Sequence, residues 1–442
     1  MVRGDPGAGK SLLGLHFPIE GFESEETVLY INLEETEANI RQSARSFGFD
    51  IEGVDFLDLS PESEFFVRDL SYDVFRPDEV EQGTITATIA DRVEALSPDR
   101  VVVDPLTQLR YLTPDDYQFR KQVLAFMRFL HDQGTTVLFT SQDIEPDPDD
   151  DLQFMSDGTI TLENTRDGRF VEVTKFRGSD FEGGEHSLRI HRGGMTVYPD
   201  LIPRQHRREF VSEKVPSGVP EFDELLHGGI ERGTVTIITG PTGVGKTTTG
   251  VQFMKEAAGR GERSVVYSFE EAEDTLVHRC GAINVSVREM LESETLAIEE
   301  IEPLQLSADE FAHMVREEVE NRDARIVMID GIAGYRLSVR GERGELNREL
   351  HKLGKYLKNR GVTVVLVNES TSIAGDHGEA ITTVRMNLAT GPDGPLTDPY
   401  THPITFVRAD FQAAATASGS SRRRRPLSRS SFGVGGPSSV LV

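Results

Sequence analysis

Nine residues past the middle of the chain carry the strongest chemical signal. Gly240-Pro241-Thr242-Gly243-Val244-Gly245-Lys246-Thr247-Thr248 follows the phosphate-loop pattern G-x-x-x-x-G-K-[ST]. Its glycines let the backbone wrap an anion, so that several N–H groups and a helix N-terminus converge on one phosphate. Lys246 is then placed to bridge the β- and γ-phosphates of ATP, and Thr247 to hold Mg2+. The apolar run Val235–Thr239 supplies the strand that must precede such a loop. The pattern occurs a second time at the start of the chain, in Gly4-Asp5-Pro6-Gly7-Ala8-Gly9-Lys10-Ser11, which gives Lys10 and Ser11 the same roles. Two further elements follow each loop. The adjacent pairs Glu34-Glu35 and Glu270-Glu271 suit a catalytic task, because neighbouring carboxylates aimed in different directions can polarise a water for attack on a γ-phosphate. A solvated turn is the alternative. Asp104 and Asp330 each close an apolar strand and sit where a carboxylate reaches Mg2+ through water, although an isolated strand-end Asp is otherwise a turn residue.

The register of these parts explains why there are two of each. Lys10 and Lys246 lie 236 residues apart, and so do Glu34 and Glu270. Unrelated domains have no reason to keep that offset, so the chain reads as a tandem duplication. The 442 residues fit two domains of ordinary size. The expected boundaries are a first domain over 1–198, a linker over 199–217, a second domain over 218–386 and a tail over 387–442.

The elements that must position these residues can be read in order. Thr27–Leu33 and Arg100–Asp104 are uninterrupted apolar strands, the mark of a parallel sheet buried on both faces. Helices are expected over 36–48, 84–96 and 118–132, with a further strand at 135–142 and an antiparallel pair at 158–163 and 169–180. The second half repeats the order: helix 247–259, strand 263–269, helix 308–321, strand 325–330, helix 345–359, strand 362–367. This alternation defines an α/β fold in which a mainly parallel sheet is flanked by helices. Only Met1-Val2-Arg3 precede Gly4, so the opening strand of the first copy is expected to be missing, together with roughly two dozen residues that its twin has, through a misassigned start or a truncation.

Composition narrows the partners. A formal net charge of −27 makes nucleic acid an unfavourable partner, since affinity there comes largely from phosphate neutralisation. The single cysteine, Cys280, rules out an internal disulfide and suits a reducing compartment. No apolar run reaches the length of a membrane span, so the expected location is cytoplasmic.

Together, two phosphate loops, each followed by a Glu-Glu pair and a strand-end Asp, resemble the KaiC family of double-domain RecA-like ATPases. Gly218–Gly229 (GVPEFDELLHGG) and Lys175–Phe181 (KFRGSDF) add to the likeness, which covers about residues 1–375. The resemblance implies a homohexameric ring with ATP and Mg2+ at subunit interfaces and a signalling or regulatory role with a protein partner not specified by the residues. It also implies that Lys175 and Arg177 reach the ATP of a neighbouring subunit. Two residues apart on a strand, they point to one side, and an arginine supplied in trans stabilises transition-state charge. Serine/threonine autokinase activity is a further implication, with Thr382-Thr383 in roughly the right region.

The second copy departs from the pattern. It has no K-x-R-G-S segment, and beyond Gly375 the expected strand pair gives way to a Pro-, Thr-, Ser- and Gly-rich stretch ending in a basic tail that contains Arg422–Arg425. That asymmetry leads us to expect most hydrolysis at the Lys10 site, unless Arg385 or Arg408 supplies the missing cation. Two other readings stay open: a DNA-dependent motor of RecA, RadA or DnaB type, and a nucleotide-gated binding scaffold with little turnover.

Overall fold

The computed structural model describes residues 1–63, 80–111, 115–142, 149–203, 212–341 and 343–369, with four strands between 382 and 408. The chain divides into two compact units, Met1–Asp200 and Leu201–Val442.

In the first unit the strands are β1 (Val2–Gly4), β2 (Val28–Asn32), β3 (Asp55–Asp58), β4 (Arg100–Asp104), β5 (Thr136–Phe139), β6 (Gly158–Asn164), β7 (Arg169–Phe176), β8 (Glu185–His191) and β9 (Gly194–Tyr198). They run in the orders β3-β2-β4-β5 and β1-β6-β7-β8-β9, and a parallel bridge from Val2 to Thr140 joins the two ladders. Every residue of β2 is buried, which explains its unbroken apolar character. Alternate side chains enter opposite layers. Leu29, Ile31, Val101 and Val103 pack with Ile85, Ile89, Val93 and Phe119, while Val28, Tyr30 and Val102 pack with Leu15, Ile40 and Ala44.

The opening strand of the first copy, expected to be missing, is present as a three-residue remnant. β1 pairs in parallel with Ile160–Leu162 of β6, and the Ser141 N–H donates to the Val2 carbonyl at 2.8 Å. Arg3 adds an ion pair to buried Asp149 at 3.0 Å. Three residues suffice because β1 is inserted between two strands.

The second unit contains β10 (Lys214–Val215), β11 (Ile230–Glu231), β12 (Val235–Thr239), β13 (Arg263–Ser268), β14 (Leu296–Glu300), β15 (Ala324–Asp330), β16 (Thr363–Asn368), β17 (Thr382–Met386), β18 (Thr390–Gly391), β19 (Gly394–Pro395) and β20 (Ile404–Arg408). Its main sheet has the order β14-β13-β15-β16-β12-β17-β20, which reproduces β3-β2-β4-β5-β1-β6-β7 strand for strand. The duplication inferred from the 236-residue offset is therefore visible in the topology. Lys214–Val215, at the end of the expected linker, pair with Ile230–Glu231, and Val215 is fully buried in the second core.

A second expectation is corrected. The strand pair thought to be replaced after Gly375 is present: β17 lies parallel to β12 and antiparallel to β20. The Gly- and Pro-rich residues 391–403 between its strands gave the stretch the composition of a tail, and hid an edge strand of β-branched and aromatic residues, Ile404-Thr-Phe-Val-Arg408. β20 occupies the place of β7, and Arg408 is its last residue. Thr382 and Thr383 belong to β17. Arg422–Arg425 and the rest of 411–442 lie outside the described residues. Among the described residues no helix is long and apolar enough to cross a membrane.

Candidate nucleotide site

The second copy gives the clearer view. β12 delivers the chain into the loop, and Gly245, at φ 90°, turns it into helix Lys246–Gly259. That left-handed conformation is open to glycine at little cost, which is why the motif places one before the lysine. Lys246 is buried, and its Nζ donates to the Pro241 carbonyl at 2.9 Å. The Thr247 hydroxyl donates to the carboxylate of Asp330; burial raises the pKa of that Asp, and this hydrogen bond opposes the rise. Glu270 Oε1 accepts the Gly334 N–H at 3.2 Å. Burial raises the pKa of Glu270, helped by the charges of Glu369 and Asp330. Glu271 is ion-paired with Arg279 at 2.7 Å. These groups converge on a cavity of 860 Å³ lined by the loop, Glu270, Glu271, Asp330 and Glu369. The volume is in the range of ligand clefts.

In the first copy the same parts come together with different partners. Gly4 has φ 144°, and a Cβ there would lie 2.0 Å from the Leu162 carbonyl oxygen, so the loop leaves β1 only with glycine. Lys10 Nζ donates to the carbonyls of Gly4 (2.7 Å) and Asp5 (2.9 Å). Burial lowers its pKa, against the pull of Asp104, Asp5 and Glu34. Ser11, the second residue of helix Lys10–Glu23, is exposed. Asp104 accepts from the Tyr30 hydroxyl at 2.7 Å and from the Thr140 hydroxyl, so both of its oxygens are engaged within the sheet. Gln142 Nε2 donates to Glu34 at 2.9 Å. Glu35 has its pKa raised by burial first, then by Asp104 and Glu34.

The two copies thus leave different members of the Glu-Glu pair available. Glu34 is tied to Gln142 and the exposed Glu35 carries a raised pKa; in the second copy Glu271 is neutralised by Arg279 and the exposed Glu270 carries the raised pKa.

Lys175 and Arg177 also separate. The Lys175 ammonium donates to the carbonyls of Gln153 (2.7 Å) and Ser156 (2.5 Å), with Phe154 at 3.4 Å, and so caps the C-terminus of helix Asp150–Met155. Arg177 lies past the end of β7, paired with Asp157 at 3.0 Å, and is 61% exposed. Of the two, Arg177 is the one placed to reach outward.

Sequence reading missed Tyr30, Thr140, Gln142, Arg279 and Glu369. The first two act from inside the sheet and carry no motif. Gln142 lies three residues past the end of β5 and Glu369 directly after β16, 227 residues apart, so the 236-residue register of the motifs does not bring them together.

An open α/β sheet with a phosphate loop after one strand and carboxylates at the tips of its neighbours is a P-loop nucleotide-binding domain of RecA type, here in tandem. The ATPase family model KaiC matches residues 1–202 and again 215–387. Among curated relatives, the circadian clock oscillator protein KaiC of Synechococcus elongatus is 26% identical over 85% of this chain and 73% of its own length. The circadian clock protein KaiC3 of Synechocystis sp. is 23% identical over 75% of this chain and 67% of its own. The chain belongs to the KaiC family of ATPases.

Proposed function

We propose that both loops are working ATP sites, and that hydrolysis at them switches an assembly of like subunits between states read by a protein partner. The observation that carries this reading is the recurrence, in each unit, of a buried loop lysine, a strand-end Asp and one glutamate of raised pKa at the same end of a sheet of the same order. Lys10 and Lys246 would bind the β- and γ-phosphates. Glu35 and Glu270 would accept the proton of the attacking water, for which a raised pKa brings a carboxylate nearer the working pH. Hydroxyl and carboxylate oxygens are the donors Mg2+ prefers, so Thr247 with Asp330, and Ser11 with Asp104, fit the ion. Mg2+ would supply charge neutralisation on the phosphates.

Arg177 supports a reading in which subunits, in a homohexameric ring, complete one another's sites. Because β20 stands where β7 stands, Arg408 takes the register place of Phe176, one residue short of Arg177, so the second unit has a cation near the same strand end and less reason remains for assigning most hydrolysis to the first site. Autokinase activity is a weaker reading. Thr382 and Thr383 pair in register with Thr236 and Ile237, at the start of β12, away from its loop. A cytoplasmic location accords with this function. The test is phosphate release from Lys10→Ala, Lys246→Ala and the double variant. Each single variant should keep part of the parental rate and the double variant none; full activity in the double variant would contradict the proposal.

A further inference from the structure

The two sites differ at one position that no motif describes. Val103 pairs with Phe139 and Ile329 with Leu366, each just before the strand-end Asp. Three residues further on stand Gln142 in the first unit and Glu369 in the second. Their partners differ in step. Gln142 is a neutral amide that donates to Glu34, at 2.9 Å. Glu369 is a carboxylate, and its Oε1 accepts from the hydroxyl of Thr242, inside the phosphate loop, at 2.7 Å. The first loop has Pro6 at the position of Thr242 and so offers no side-chain donor there. The second site thus carries a strap from the tip of β16 to its phosphate loop, and the strap ends in a negative charge.

We propose that Glu369 is a specificity-determining residue that biases the second site toward nucleoside diphosphate over triphosphate. This rests on the reading of the second loop as a nucleotide site. Held by Thr242, the carboxylate faces the cavity shared with Lys246, Glu270 and Asp330. The other cation lining that cavity, Arg279, is engaged by Glu271. A triphosphate brings one more phosphate, and more charge, to the end of the loop that Lys246 serves alone. A like charge within several ångströms, discounted for solvent, weakens binding on the order of tenfold. A diphosphate ends before that point and is spared. In the first site the amide of Gln142 imposes no such repulsion.

The experiment uses the full chain with Lys10→Ala, so that binding reports on the second loop. ATP and ADP compete with a fluorescent ADP analogue in the presence of Mg2+. The Lys10→Ala protein should bind ADP more tightly than ATP. Adding Glu369→Gln should strengthen ATP about tenfold and change ADP less than about twofold. The reciprocal change, Gln142→Glu with Lys246→Ala, should weaken ATP by a similar factor at the first loop, and it decides the matter if Glu369→Gln does not fold. Equal changes for both nucleotides, or none, would overturn the proposal. Absence of all nucleotide binding in folded Lys10→Ala, with binding intact in the parent, would instead remove the second site itself, and the proposal with it.

Discussion

Replacing Lys175 and replacing Arg177 should have opposite consequences, although both belong to one short motif. Lys175 donates two short charged hydrogen bonds to carbonyls at the end of helix Asp150–Met155 and a longer one to Phe154. A charged hydrogen bond contributes roughly 1.5–3 kcal/mol and a cation at a helix C-terminus up to about 1 kcal/mol. Lys175 is half-buried, so a discounted total of about 2 kcal/mol is reasonable. For a unit of this size that lowers Tm by about 4–8 °C in Lys175→Ala. The Arg177–Asp157 pair has side chains 61% and 78% exposed. Such a pair contributes about 0–1 kcal/mol, so Arg177→Ala should melt within about 3 °C of the parent. Its effect should fall on rate: an arginine that completes a neighbour's site is worth on the order of 10³–10⁵. Calorimetric melting of both variants, and phosphate release from each in a Lys246→Ala background, separate the two roles. The reasoning is refuted if Lys175→Ala melts with the parent, or if Arg177→Ala releases phosphate at the parental rate.

Three further outcomes are expected. Glu35→Gln and Glu270→Gln should keep ATP bound and slow their own sites by on the order of 10²–10⁴, measured by single-turnover hydrolysis with the other lysine removed; an unchanged rate in both would reduce these carboxylates to turn residues. Because the pKa of each is raised and the base must be ionised, activity should fall with decreasing pH at a higher value than an ordinary carboxylate gives; a pH–rate profile flat down to pH about 4 would argue against them. Gly4→Ala should empty the first site in equilibrium ATP binding and cost at least about 1–3 kcal/mol from backbone conformation alone, with normal first-site binding as the contrary result.

Much of this was legible because the relevant signals are local. The loops, the buried strands and the helices at 36–48 and 308–321 follow from glycine spacing and apolar periodicity; the structure places those helices at Glu37–Phe47 and Ala308–Glu320, with Thr36 and Ser307 as N-caps. What stayed hidden depends on neighbours distant in sequence. Val2–Gly4 is too short to register as a strand and exists because β5 and β6 flank it. β20 is separated from its partner by a Pro- and Gly-rich connection, so composition pointed away from it. The pairing of Lys175 with a helix end requires helix Asp150–Met155 to be in place. The difference between Glu35 and Glu270 arises from Gln142 and Arg279, which no pattern around the Glu-Glu pairs announces.

The central claim is that each unit holds one ATP site of its own. Equilibrium dialysis with labelled ATP and Mg2+, on the parent, Lys10→Ala, Lys246→Ala and the double variant, addresses it directly. The account predicts two nucleotides per chain in the parent, one in each single variant and none in the double variant. A parent that binds one nucleotide per chain, or a single variant that loses both while remaining folded, would contradict it.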